Sequence, residues 1–222
     1  MTKNSVCLIG ADGNMGRRYK AILNEINIKF CSVDIGDRWP DSAHHYIIAT
    51  PTDTHLEMIS KINEPDARIL VEKPLCRLSS MLRIQTVRDA CRDHTDKLFM
   101  VNQYAYIPWV EKGIGPTIYD YYNTGRDGLG WDCIQLIHLA KGYLSLRNKS
   151  PIWQCTINGL PITRGMVDRA YIEMIRDFLS DGELHQKLWG WDDITKAIER
   201  ALRWEKDTDR RTGEEYINSA AR

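Results

Sequence analysis

Hydrophobic and polar positions alternate along the first half of the chain in two rhythms. Short apolar runs are typical of buried strands, and they predict five strands, at residues 6–9, 28–33, 46–49, 68–71 and 98–101. Longer amphipathic stretches between these runs predict helices at residues 14–24, 53–62 and 79–91. Strands and helices that alternate in this way indicate βαβ units, and therefore an α/β fold with a doubly wound parallel sheet.

The pattern changes after Pro108. Two predicted strands, at 117–123 and 152–160, are mixed with predicted helices at 131–144, 167–179 and 192–204, and Asn158-Gly159 is a turn signal. We therefore expect two domains. Residues 1–108 would hold the parallel sheet, and residues 109–222 would form a reduced α/β domain with a small open sheet.

A glycine-rich segment joins the first predicted strand to the first predicted helix. Glycine is needed where a turn takes positive φ, where backbone approaches a pyrophosphate and where a helix packs on a strand. A helix N-terminus also offers N–H groups and partial positive charge to phosphates. Because the segment follows the first predicted strand, it predicts a Rossmann domain that binds a dinucleotide. The alternative is a tight strand-to-helix turn without a ligand. The residues concerned are Gly10, Ala11, Asp12, Gly13, Asn14, Met15 and Gly16.

Asp34 follows the second predicted strand, about twenty residues beyond the glycine loop. A carboxylate there can accept hydrogen bonds from ribose hydroxyls and repels a 2′-phosphate, which favours NAD as the cofactor. Arg38 lies nearby and could pair with such a phosphate, so NADP stays possible. The alternative is that Asp34 is a solvated loop carboxylate.

Charge balance, cysteine spacing and the lengths of the apolar runs exclude several kinds of binding partner. Thirty basic residues balance thirty acidic ones, which argues against a nucleic-acid partner. The six cysteines include no C-x-x-C pair, and we expect no metal site. No apolar run has the length of a membrane span, and the N-terminus lacks a signal-peptide core. We expect a cytoplasmic protein with a small-molecule substrate.

Two further segments narrow the family. Ala49-Thr50-Pro51 is followed by His55, and Glu72-Lys73-Pro74 ends the fourth predicted strand. In this order after a glycine loop, the segments resemble the Gfo/Idh/MocA oxidoreductases, which include glucose–fructose oxidoreductase and inositol dehydrogenase. The resemblance implies dinucleotide contacts from Thr50, Pro51, His55, Glu72, Lys73 and Pro74, and substrates that are sugars, cyclitols or nucleotide sugars.

The resemblance also places Lys73 beside the nicotinamide and the substrate. An ammonium at the end of a parallel strand lies where such sheets bind ligands. Close to bound cofactor, its pKa should fall, so that it could exchange a proton with a substrate hydroxyl. Asn102, after the fifth predicted strand, is a further substrate candidate.

Members of that family carry an aspartate and a histidine about one helical turn apart, and the histidine serves as acid/base. Aligning His138 with that histidine puts Ile134 at the aspartate, whereas aligning Asp132 with the aspartate puts Leu136 at the histidine. Neither register restores both residues. Gln135 and His138 share one face of the predicted helix, so both could face the substrate.

The sequence therefore predicts an NAD(P)-dependent dehydrogenase that acts on a sugar-like substrate. Two alternatives remain: a dinucleotide-binding relative without catalysis, acting as a sensor or assembly partner, and an enzyme similar to dihydrodipicolinate reductase. A homo-oligomer, with a dimer favoured, is expected because a shortened second sheet leaves an edge or an apolar face to cover.

Overall fold

The computed structural model describes residues 4–34, 36–40, 42–77, 84–110, 117–120, 134–135, 144–147, 154–157, 159–180 and 187–209. The described chain divides into two compact units. One unit comprises Met1–Val101 with Ile175–Ile194, and the other comprises Asn102–Met174 with Thr195–Arg222. The first unit thus includes a segment from the C-terminal half of the chain. The expected domain boundary between residues 108 and 109 stays a prediction.

The first unit is built on a five-stranded parallel sheet in the order β2-β1-β3-β4-β5. Its strands are β1 (Asn4–Ile9), β2 (Phe30–Val33), β3 (Ala43–Ile48), β4 (Arg68–Val71) and β5 (Leu98–Met100). All five strands match the predicted ones to within a few residues. Val6, Cys7, Leu8 and Ile9 of β1 are all buried, as expected of a central strand covered on both faces.

Helices and short turns connect these strands. The helices are α1 (Asn14–Glu25), α2 (His55–Ser60) and α3 (Ile84–Cys91), with 3₁₀ turns at Thr52–Thr54 and Arg92–His94. Helix α1 buries Gly16, Tyr19, Ile22 and Leu23 along one face, which is the amphipathic stripe that its sequence predicts. The α/β fold with a Rossmann-type parallel sheet is confirmed.

The C-terminal segment of the first unit, Ile175–Ile194, packs against the parallel sheet. Phe178 meets the rings of His45 and Phe99 edge-on, at centroid distances of 5.3 and 6.2 Å. The Arg68 guanidinium lies 5.3 Å from the Phe178 ring and donates to the Ser180 carbonyl at 2.7 Å. The segment therefore covers apolar surface that β4 and β5 would otherwise expose.

The second unit holds a four-stranded mixed sheet in the order β7-β6-β8-β9. Its strands are β6 (Thr117–Asp120), β7 (Leu144–Arg147), β8 (Gln154–Ile157) and β9 (Leu160–Ile162). Gly159, with φ of 74°, lies between β8 and β9, where the turn was predicted. The predicted helix 131–144 is wrong at its end, because Leu144 begins a strand; of its other residues, Ile134 and Gln135 are described and are helical.

Two long helices, α4 (Arg164–Leu179) and α5 (Trp191–Asp209), complete the described chain, and both were predicted. Each runs across the boundary between the two units. Among the described residues, no helix is both long enough and apolar enough to cross a membrane.

Candidate functional site: the glycine turn and its neighbours

Two glycines of the loop after β1 are required by the fold itself. Gly10 has a φ of 81°, and a Cβ there would lie 2.8 Å from the backbone nitrogen of Thr50. A Cβ on Gly16 would lie 2.0 Å from the Gly10 carbonyl oxygen. These glycines therefore let α1 and the end of β3 approach the end of β1 closely.

Gly13 differs because the protein leaves room for a side chain there. A Cβ on Gly13 would meet nothing closer than the Gly10 carbonyl oxygen at 3.4 Å, which is ordinary contact. Gly13 is the N-cap of α1, no side chain caps the helix, and its first turn contains no acidic residue. The first N–H groups of α1 are thus left for an external acceptor, and the missing methyl group keeps the approach to them open.

The other loop residues frame this helix end. Ala11 is buried, whereas Asp12 and Asn14 are exposed and Met15 is half-buried. The Arg17 guanidinium donates to Asn14 Oδ1 at 2.6 Å and to the Asp12 carbonyl. Lys20 Nζ lies 2.7 Å from Asp12 Oδ1, and this hydrogen bond holds the pKa of Asp12 below its usual value.

Asp34 lies beside the glycine loop, as predicted from its position after β2. The Asp12 N–H donates to Asp34 Oδ2 at 2.7 Å, so the loop fixes this carboxylate. Asp37 adds a second carboxylate, and its Oδ2 accepts the Asp34 N–H at 2.7 Å. Arg38 does not line the cavity next to these residues, whereas Asp34 and Asp37 do. The two carboxylates disfavour a 2′-phosphate on a ribose held at Asp34, since like charges repel.

A cavity of about 940 Å³ opens from the glycine turn within the first unit. Gly10, Gly13 and Asp34 line it, together with Thr50 and Pro51 from the end of β3. In the sheet, β2 lies on one side of β1 and β3 on the other, so the strand order reverses at β1. Open α/β sheets bind ligands at such a point, beyond the carboxyl ends of the strands. Trp39, Tyr46, Met58 and Glu64 also line it, and the sequence analysis did not single them out.

Thr50 carries an unsatisfied polar atom. Its Oγ1 is buried and has no hydrogen-bond partner among the described residues. Buried hydroxyl groups are normally bonded, so an unpartnered one at a cavity wall is a position that a ligand can satisfy.

His55 joins this cavity wall to the segment that follows β4. The imidazole is fully buried, with Nε2 2.9 Å from the Thr50 carbonyl oxygen and Nδ1 3.0 Å from that of Pro74. Burial lowers the pKa of His55, which keeps the ring neutral, so only one nitrogen donates at a time. His55 therefore links the Thr50-Pro51 and Lys73-Pro74 segments rather than facing a ligand openly.

Glu72 also connects two segments of the first unit through hydrogen bonds. Tyr19, buried on α1, donates its hydroxyl to Glu72 Oε1 at 2.5 Å, and the Lys73 N–H donates to Oε2 at 3.1 Å. Burial raises the pKa of Glu72 above its usual value. Both carboxyl oxygens are thus engaged inside the protein, and a cofactor contact from Glu72 stays a prediction.

Lys73 is half-buried, and one residue, Glu72, separates it from the end of β4. The hydrogen bond from its backbone N–H to Glu72 Oε2, at 3.1 Å, sets where the side chain begins. Lys73 therefore lies at the carboxyl end of the parallel sheet, as predicted.

The remaining candidates belong to the second unit. Gln135 is buried and donates from Nε2 to Oε1 of the buried Gln103 at 2.9 Å. Asn102 is fully buried, and neither its Oδ1 nor its Nδ2 has a partner among the described residues. Buried amide groups normally have hydrogen-bond partners, so these two atoms are positions that a polar ligand can satisfy. His138 lies outside the described residues.

Comparison with known proteins shows the fold. No protein-family model and no curated protein matches the chain. Solved structures do match, and they are Gfo/Idh/MocA-type dehydrogenases. A myo-inositol dehydrogenase from Corynebacterium glutamicum superposes with a TM-score of 0.67 at 14% identity, over 99% of this chain and 100% of that one.

Two further matches are dehydrogenases of nucleotide sugars. The WlbA dehydrogenase from Thermus thermophilus, solved with NAD and UDP-GlcNAcA, has a TM-score of 0.58 at 15% identity, covering 92% of this chain and 94% of that one. The UDP-N-acetylglucosamine 3-dehydrogenase GnnA from Acidithiobacillus ferrooxidans has a TM-score of 0.60 at 12% identity, covering 91% and 97%. The resemblance inferred from the motifs is thus confirmed at the level of the fold.

Proposed function

We propose that this protein is an NAD-dependent oxidoreductase that transfers a hydride between the nicotinamide and a hydroxyl group of a sugar, cyclitol or nucleotide sugar. The observation that carries the proposal is the uncapped N-terminus of α1, with Gly13 open in front of it and Asp34 fixed beside it. These groups share one cavity with Thr50 and Pro51. Matching structures that hold NAD support the same cofactor.

The residues present fit a dinucleotide. The first backbone N–H groups of α1, from Asn14 to Gly16, would hold the pyrophosphate, and the Asp34 carboxylate would accept from ribose hydroxyls. The unpartnered Thr50 Oγ1 supplies one more polar contact. The side-by-side carboxylates of Asp34 and Asp37 favour NAD over NADP, since a 2′-phosphate would meet like charge.

The substrate class is proposed from the likeness to dehydrogenases of inositol and of nucleotide sugars. Bound NAD would supply the hydride acceptor. Lys73 would react as the neutral amine: its Nζ would accept a hydrogen bond from the substrate hydroxyl and take the proton as the carbonyl forms, which leaves the ammonium. Asn102, Gln135 and His138 remain candidates for orienting the substrate, with the unpartnered amide of Asn102 as supporting observation.

Glu72 acts here as a positioning residue rather than a catalytic one. Its carboxyl group connects the Tyr19 hydroxyl to the Lys73 N–H, so α1 and the Lys73 segment are tied together. The same helix whose N-terminus would hold the pyrophosphate thus also fixes the origin of the Lys73 side chain. This arrangement would keep the ammonium in one place relative to the cofactor.

Lys73→Met tests the proposal because it removes the ammonium and keeps the length of the side chain. We expect turnover on the best substrate of a sugar, cyclitol and nucleotide-sugar panel to fall by roughly 10²–10⁴-fold, with the Kd for NADH changed little. Lys97→Met is the matched control, because Lys97 is paired with Asp66 at the surface and should be dispensable. Full activity of Lys73→Met would contradict the assigned role.

No observation on the described residues favours the non-catalytic relative or the dihydrodipicolinate-reductase-like enzyme. Wild-type protein that binds NADH but turns over no polyol or keto-sugar would instead support the dinucleotide-binding relative without catalysis. A homodimer in the cytoplasm completes the proposal, and light scattering that shows a monomer at high concentration would contradict the dimer.

A further inference from the structure

Two cysteines lie side by side on the first two strands of the parallel sheet. Cys7 of β1 and Cys31 of β2 are partners in the strand register, so both side chains project from the same face of the sheet. Their thiols lie close enough to share a hydrogen bond, and Cys31 Sγ also lies 3.6 Å from the Val6 carbonyl oxygen. Both cysteines are free thiols, and neither has a role in the proposed cofactor site.

The spacing of the two strands brings this pair within reach of a disulfide bond. Neighbouring strands lie about 4.7–4.9 Å apart, and the Cα atoms of disulfide-bonded cysteines are usually about 4.4–6.8 Å apart. The Cβ atoms of a disulfide lie closer, at about 3.8 Å, so β2 would have to move toward β1 by about 1 Å. In the described five-stranded sheet β2 is an edge strand that pairs with β1 alone, so it can make this movement.

The two thiols differ in their access to solvent and in their protonation. Cys31 is half-buried, whereas Cys7 is fully buried. Burial, followed by the negative charge of a Cys31 thiolate, raises the pKa of Cys7 above its ordinary value. Cys7 therefore stays a thiol that donates to the Cys31 sulfur. Since the thiolate is the nucleophilic form, Cys31 is the sulfur that an oxidant from solution meets first.

We propose that Cys7 and Cys31 form an oxidation-sensitive pair, which hydrogen peroxide converts into an intramolecular disulfide that weakens NAD binding. In the first step the Cys31 sulfur attacks one peroxide oxygen, the O–O bond breaks, and a sulfenic acid and one water molecule result. In the second step the Cys7 sulfur attacks the Cys31 sulfur, the S–O bond breaks, and the hydroxyl leaves as water with the Cys7 proton. Two thiols thus lose two electrons, and the peroxide is reduced to two water molecules.

Both strands lead directly to groups of the proposed dinucleotide site. Gly10 follows Cys7 by three residues, at the start of the glycine loop. Asp34 follows Cys31 by three residues, and its Oδ2 accepts the Asp12 N–H of that loop at 2.7 Å. A disulfide that draws β2 toward β1 therefore shifts the Asp34 carboxylate relative to the glycine loop. This effect on the cofactor rests on the proposed function, whereas formation of the disulfide does not.

Peptide mapping tests the disulfide directly. Trypsin releases residues 4–17 and residues 30–38 as separate peptides, and each peptide contains one cysteine. After treatment of the wild-type protein with hydrogen peroxide and blocking of the remaining thiols, we expect these peptides as one linked species that dithiothreitol separates. The oxidised protein should bind NADH about 2- to 10-fold more weakly than the reduced protein, as loss of one hydrogen bond would cause. Dithiothreitol should restore the original Kd.

Cys31→Ala removes the thiol that reacts first, so peroxide should leave the Kd of this variant for NADH unchanged. Cys91→Ala is the matched control: it removes a buried thiol at the end of α3, and its response to peroxide should equal that of the wild type. Absence of the linked peptides from the oxidised wild type would overturn the pair. Linked peptides with an unchanged Kd for NADH would overturn its effect on the cofactor. Absence of NADH binding by the reduced protein would instead overturn the proposed function.

Discussion

Gly13, the N-cap of α1, and Gly16, in its first turn, lie three residues apart, and the structure predicts opposite consequences for the same substitution. In Gly13→Ala the new methyl group fits, since its nearest neighbour lies 3.4 Å away. Alanine is a poorer N-cap than glycine, which should cost at most about 1 kcal/mol of folding free energy. The methyl group nevertheless occupies the approach to the N–H groups of α1. A phosphate that loses one charged hydrogen bond there forfeits about 1.5–3 kcal/mol, or roughly 10- to 150-fold in Kd.

In Gly16→Ala the methyl group would lie 2.0 Å from the Gly10 carbonyl oxygen, a distance that forces α1 away from β1. Overpacking of this kind costs about 1–3 kcal/mol. For a chain of this size, the melting temperature should fall by about 2–4 °C for each kcal/mol. The assays are NADH binding by fluorescence titration and thermal unfolding, on both variants and the wild type. If Gly13→Ala binds NADH with unchanged affinity, the helix N-terminus is not the phosphate site.

Two further predictions concern the same framework. The wild-type protein should bind NADH roughly tenfold more tightly than NADPH, a preference of about 1.4 kcal/mol, and Asp34→Ser should remove this preference. Tighter binding of NADPH than of NADH by the wild type would mean that Arg38 decides which cofactor binds. Tyr19→Phe removes the hydroxyl that donates to the buried Glu72 carboxyl at 2.5 Å, and it should lower the free energy of unfolding in urea by about 1–3 kcal/mol. An unchanged urea midpoint would show that this hydrogen bond makes no net contribution to stability.

The parallel sheet could be predicted because its strands leave a direct signal. Strands covered on both faces are continuous apolar runs, and residues 6–9 and 68–71 stand out against the polar segments around them. The glycine loop, Asp34 and the Glu72-Lys73-Pro74 segment follow such strands immediately. Their positions at one end of the sheet follow from the parallel topology alone.

The second unit was harder to predict. Strand β7 was missed because the predicted helix 131–144 absorbed Leu144, although Leu144-Ser145-Leu146-Arg147 alternates apolar and polar residues as a half-buried strand does. Four residues are too few for periodicity to decide between a strand and the end of a helix. Pairing with β6, along the register Thr117↔Leu144 to Asp120↔Arg147, fixes the strand in the folded protein.

Contacts between residues distant in sequence left no local signal. Tyr19 and Glu72 lie 53 residues apart, and the amphipathic pattern of residues 14–24 predicts only that Tyr19 lies on the buried face of α1. A buried tyrosine needs a partner for its hydroxyl, so the existence of such a partner was foreseeable, but its identity was not. The same holds for Trp39 and Glu64, which lie far apart in sequence and line one cavity.

His55 shows how one buried contact of this kind should govern stability. The ring lies between the carbonyl oxygens of Thr50 and Pro74, and burial lowers its pKa below the ordinary value of 6.5. In the unfolded chain the imidazole binds a proton near that ordinary value, whereas the folded protein resists protonation. The stabilising contribution is therefore complete above pH 6.5 and is lost as the pH falls through the lower, folded-state pKa, at up to about 1.4 kcal/mol per pH unit.

Urea unfolding between pH 8 and pH 5 measures this contribution. The free energy of unfolding of the wild-type protein should fall steeply below pH 6.5. His55→Gln keeps amide donors for the two carbonyl groups and does not titrate. This variant should therefore be less stable than the wild type at pH 8, but its free energy of unfolding should depend less on pH. His44→Gln is the control, because His44 lies exposed on β3 and its removal should leave the steep loss in place. Because His55 joins the Thr50 and Pro74 segments, the Kd for NADH should rise over the same pH range in the wild type and less so in His55→Gln. Parallel pH profiles for the wild type and His55→Gln would refute the assignment of the acid sensitivity to this imidazole.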